Sequence, residues 1–115
     1  METIRKKELK KQAKEESPIA GILQVTNIEN GKVFIDAVNN IKRLNGLIFQ
    51  LKSGTLLNKE LVNDWNSFGE VAFTFEVLES IKTEGKSAYQ VKKELSEAEE
   101  KWLTEKQPYG EKGYN

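Results

Sequence analysis

Hydrophobic and polar positions along the chain change period several times, and each change marks an element. Residues 1 to 16 are helix formers almost throughout, yet only Ile4, Leu9 and Ala13 offer apolar contact, which predicts a weakly docked or frayed helical arm. Ser17-Pro18 breaks that pattern, because proline disfavours helical geometry in the residue before it. The organisation expected is an arm over residues 1–17 and one domain over residues 18–115. Two β-rich runs follow, GILQVTNIE and KVFID, joined through Asn30-Gly31. That dipeptide tolerates positive φ and suits the tight turn of an antiparallel hairpin. Asn39 or Asn40 is placed to cap a helix in which Leu44, Leu47, Ile48 and Leu51 recur at i, i+3, i+4 and i+7, and Gly54 stops it. Asn58 opens a second helix carrying Leu61, Val62 and Trp65, which ends near Gly69. Phe73, Phe75 and Val77 then alternate with Thr74 and Glu76 as a third strand. Beyond a polar, glycine-containing loop, Ser87 and Gln90 form a capping box for a long helix whose Ala88, Val91, Leu95, Ala98 and Trp102 share one stripe. The tail QPYGEKGYN is irregular, and its two tyrosines predict that it folds back onto the domain. This order predicts an α+β fold with a small three-stranded antiparallel sheet flanked by helices.

Composition narrows the chemistry more than the fold. The chain has 115 residues, of which 37% are hydrophobic, enough for one domain. Eighteen basic residues balance eighteen acidic ones, so no net field holds a polyanion and any nucleic-acid binding must come from a local patch. The absence of cysteine and histidine removes disulfides, thiol nucleophiles, histidine-based triads and the usual zinc sets. No apolar stretch approaches a membrane span and the first sixteen residues hold no signal-peptide core, so a cytoplasmic protein without membrane partners is expected. Gly85-Lys86-Ser87 sits between strand and helix where a phosphate-binding loop would, but Ser80 stands where such a loop needs its first glycine. The basic arm is interleaved with glutamates at i,i+4 spacing, the pattern of a solvated helix. Glu99 borders the buried stripe of the last helix. Two readings stand for it: a rim carboxylate whose stem covers apolar surface, or a ligand for a divalent metal.

GIL at 21–23, FID at 34–36, a helix, the Glu99-x-x-Trp102 pattern on a later helix and the closing Gly113-Tyr114-Asn115 together resemble the GIY-YIG nuclease domain over roughly residues 19–115. The resemblance implies metal-dependent hydrolysis of a DNA phosphodiester. In that family signature tyrosines position and deprotonate the attacking water, an arginine on the first helix stabilises the phosphoryl charge, and a glutamate on the last helix holds a magnesium ion. Carried over by position, Leu23 and Phe34 fall where the family has its tyrosines, and Asp36 replaces the closing glycine. Arg43 comes one residue early counted from the second half-motif and in step counted back from Gly54, which implies a one-residue deletion before the helix. It reads either as the catalytic arginine or as a solvated neighbour of Lys42. Glu99 matches the metal ligand, with Asp36 as a second candidate ligand, and Asn115 matches the asparagine that ends the family domain. The resemblance also predicts that Leu23 and Phe34 lie on the sheet face that looks at Glu99.

Neither leucine nor phenylalanine can accept a proton or hydrogen-bond a water. Loss of one general base alone costs roughly 10² to 10⁴ in rate. The leading expectation is therefore a degenerate GIY-YIG-like domain, inactive or very weak, that binds nucleic acid or a protein partner. The alternative is a magnesium-dependent DNA endonuclease using Glu99 and Arg43. A third reading is a small assembly protein, whose first sign would be a homodimer in solution.

Overall fold

The structure is a computed structural model that describes residues 18–115; the helical arm expected over 1–17 lies outside them. Three strands, β1 (Ile19–Asn27), β2 (Val33–Val38) and β3 (Phe73–Lys82), form an antiparallel sheet in the order β2-β1-β3. Three helices accompany it: α1 (Arg43–Ser53), α2 (Lys59–Phe68) and α3 (Ala88–Lys106). As the central strand, β1 is covered on both sides, which explains its unbroken buried run from Ala20 to Val25.

The two sheet faces build separate cores. On one, Val25 and Phe73 pack with Leu47 and Leu51 of α1 and Leu61, Val62 and Trp65 of α2, with Phe34 and Phe75 against them. On the other, Ala20, Ile22, Ile35 and Ile81 meet Ala98 of α3, with Leu95 and Trp102 alongside. Glu79 of β3 pins α3 to the sheet: Trp102 Nε1 donates to its carboxylate at 2.8 Å and the Lys101 ammonium lies at 2.8 Å. Gly21 is required for close approach, since a Cβ there would sit 2.6 Å from the Glu79 carbonyl oxygen.

Several predicted boundaries shift for local reasons. The hairpin does not close on a two-residue turn. Asn27 is buried, its side chain accepts from the Glu29 N–H, and its backbone pairs with Gly31 and Lys32, so the chain turns from Asn27 onward. Neither Asn39 nor Asn40 is the residue that precedes α1. The Asn40 side chain accepts from the Lys42 N–H and its carbonyl from the Arg43 N–H, a turn that delays the helix to Arg43. Ile48 is only half-buried while Leu47 and Leu51 are sealed, so the stripe is narrower than its spacing suggests. β3 continues past Val77 to Lys82 because the pairing jumps from Leu23↔Val77 to Ile22↔Glu79, a bulge at Leu78 that breaks the alternation. Asn58 caps α2 and Ser87 caps α3 as expected, although Gln90 turns to Glu94 instead of completing the box.

The tail folds back through one of its two tyrosines. Tyr109 is exposed, whereas Tyr114 is buried, donates to Asp64 at 2.7 Å and accepts from Asn27 at 3.1 Å. Burial, then the bond to Asp64, push its hydroxyl up to about 12. Gly113 presses on the Pro108 backbone and bridges to Val33, laying the tail along the free edge of β2.

Candidate functional site

Between β2 and α1 lies an open pocket of about 240 Å³. α1 presents Arg43, Gly46, Leu47 and Gln50 to it, residues at i, i+3, i+4 and i+7 and hence on one helix face, while β2 contributes Asp36 and Val38. Leu47 and Val38 are buried and, with Leu56 from the loop after α1, give the pocket an apolar floor. Among its polar groups Asp36 is half-buried, and Arg43 and Gln50 are exposed. Gln50 was not among the residues singled out from the sequence; its place two turns after Arg43 was the available signal.

Asp36 pairs across the ladder with Leu23, while Phe34 pairs with Val25, so Leu23, Phe34 and Asp36 share the α1/α2 face of the sheet. Leu23 is closed to solvent and Phe34 is half-buried against the core of that face. The helix that carries Glu99 packs on the opposite face, so Leu23 and Phe34 do not lie on the face that looks at Glu99, and their match to the family tyrosine positions rests on sequence position alone. The site straddles the sheet at β2, an edge strand. Glu99 still acts on Asp36: burial pushes the Asp36 carboxyl above the usual carboxylate range, the Glu99 charge adds to the rise, and the Arg43 guanidinium opposes it. Asp36 thus lies within electrostatic reach of both Arg43 and Glu99.

Asn115 is occupied elsewhere. Its Oδ1 accepts from the Ile35 N–H and its Nδ2 donates to the Ile35 carbonyl, both at 2.8 Å, so its side-chain amide continues the sheet where β2 has no neighbouring strand. It fixes the residue between Phe34 and Asp36 and so positions the strand beneath the pocket. Lys86, in the loop tested as a phosphate site, is paired with Glu94 at 2.8 Å, and Ser87 is used as a helix cap.

No group of three or more acidic, histidine or cysteine side chains suited to a metal occurs among the described residues. Asp36 and Glu99 meet only the loosest requirement for magnesium, which takes one or two carboxylates and completes its shell with water and substrate phosphate. Among the described residues no helix is long and apolar enough to cross a membrane.

No protein-family profile matches the chain, and no curated protein matches it. The fold is similar to a solved catalytic domain of the intron endonuclease I-TevI, a GIY-YIG endonuclease determined there as a mutant. The TM-score is 0.65 at 27% sequence identity, covering 84% of this chain and 92% of that one. With the three-stranded antiparallel sheet and three helices already described, that likeness shows that the chain carries a GIY-YIG-like domain.

Proposed function

We propose that the domain is a nuclease-derived nucleic-acid-binding module in which phosphodiester cleavage is lost or nearly lost. The observation that carries this reading is hydrocarbon at the two strand positions that the resemblance assigns to catalytic phenols. Leu23 is sealed in the sheet and Phe34 belongs to the α1/α2 core, so neither orients nor deprotonates a water. Arg43 remains exposed at the pocket rim as a cation for nucleic acid.

A second reading is supported by the influence of Glu99 on Asp36. In a magnesium-dependent endonuclease these two carboxylates would hold the ion, which supplies an activated water, and Arg43 would stabilise the phosphoryl charge. The two readings separate in one experiment: fluorescence anisotropy with single- and double-stranded DNA, with nicking of supercoiled plasmid scored in magnesium on the same preparation. Saturable binding without nicking is the expected result. Nicking that Glu99→Ala abolishes would establish the enzyme, and absence of binding to either DNA would turn the search to a protein partner.

A further inference from the structure

The polar groups around the β2/α1 pocket differ from those that a metal or a phosphate selects. A divalent cation needs acceptors alone, and an isolated phosphate needs donors alone. Here a carboxylate, Asp36, stands with a guanidinium, Arg43, and an amide, Gln50, around the apolar surface of Leu47 and Val38. Among the described residues neither Asp36 nor Arg43 enters an ion pair within 4.0 Å, and no Asp36 oxygen is a sealed, unpartnered atom. Both remain available to a ligand. At about 240 Å³ the pocket falls below the roughly 300 Å³ at which drug-sized sites begin, a size suited to one flat ring system.

We propose that this pocket binds a single unpaired guanine base of a nucleic-acid strand. The proposal rests on the nucleic-acid-binding reading above and deepens it. A carboxylate accepts two parallel N–H bonds from only one of the standard bases, guanine, through N1–H and the N2 amino group. Guanine also offers O6 and N7, the acceptors that an arginine fork addresses in its commonest base contact. The base faces meet the apolar floor, as in other single-strand sites where stacking and edge contacts combine. An arginine side chain from a partner protein would satisfy Asp36 but would bring a second guanidinium against Arg43, with no acceptor to offer it. Aspartate in place of the family's closing glycine thereby gains a role as the acceptor that reads a base.

The test uses the full chain and short single-stranded thymine oligonucleotides in which one central base is guanine, hypoxanthine, 7-deazaguanine or thymine, followed by anisotropy, with GMP titrated separately by NMR amide shifts. The guanine strand should bind about tenfold more tightly than the all-thymine strand. Hypoxanthine, which lacks the N2 amino group, and 7-deazaguanine, which lacks N7, should each lose most of that gain. Asp36→Asn, nearly isosteric, should abolish the guanine preference, so that the guanine and thymine strands bind alike. Equal binding of all four strands would overturn the guanine pocket and leave the nucleic-acid reading intact. Absence of binding by every strand and by duplex DNA would overturn that reading itself. GMP binding as tightly as the guanine strand would assign the pocket to a free nucleotide and overturn the strand as its source.

Discussion

Asp36 shows most clearly how one side chain sets the character of the site. Its carboxyl titrates above the usual range because burial disfavours the charge and Glu99 lies near, with Arg43 pulling the other way. In the unfolded chain the same carboxyl titrates at its ordinary value. The folded state therefore takes up the proton first as pH falls, so ionised Asp36 opposes folding at neutral pH and the penalty is relieved through the folded pKa. Asp36→Asn should be more stable than the natural chain in urea denaturation at pH 7, and the difference should shrink in mild acid. An unchanged difference would mean that Asp36 is solvated like a surface carboxylate. The residues around it were unequally legible in the sequence. Arg43, Asp36 and Glu99 were marked by motif position. Gln50 and Leu56 were not, because a pocket wall depends on how α1 tilts over β2, and no local pattern encodes that tilt.

Elements whose period was simple were legible, and those whose period was interrupted were not. The 3.6-residue spacing of α2 and α3 and the two caps Asn58 and Ser87 were read from the chain and lie where expected. The alternation at Phe73, Phe75 and Val77 marks only the first half of β3, since the bulge at Leu78 brings Ile81 to the α3 face after Phe73 and Phe75 have pointed to the other. The stripe of α1 offers four apolar positions, but a helix lying against a sheet and a second helix buries only one side of it, Leu47 and Leu51. Leu51, wholly buried, lies in the core shared by β1, α1 and α2, whereas Ile48 is outside both core clusters. Leu51→Ala should cost about 2 to 5 kcal/mol in a denaturation curve and Ile48→Ala distinctly less. Equal losses would place the α1 face one position away from its assignment here.

At the scale of the whole molecule, charge balance decides what kind of binding the domain can do. With eighteen basic and eighteen acidic residues, long-range attraction to a polyanion is weak, and affinity has to come from the few cations beside the pocket and from contacts to a base. Arg43 on α1 and its neighbour Lys42 are the cations nearest that cleft in sequence. Each phosphate neutralised on a single strand contributes about −0.7 to the slope of log affinity against log salt; with Arg43 turned to the base edge, Lys42 alone is left for a phosphate and the slope should lie near about −0.7. The segment before the domain carries six basic residues, Arg5, Lys6, Lys7, Lys10, Lys11 and Lys14. If all six joined the interface at about −0.7 each, the slope would steepen to about −5. Affinity for a guanine-containing strand measured across a salt series distinguishes these cases. A shallow slope with the guanine preference retained at high salt would locate recognition in the β2/α1 pocket, because base-edge contacts do not release counterions. A steep slope with the preference lost would make the basic segment the source of affinity and leave the pocket without a part in it.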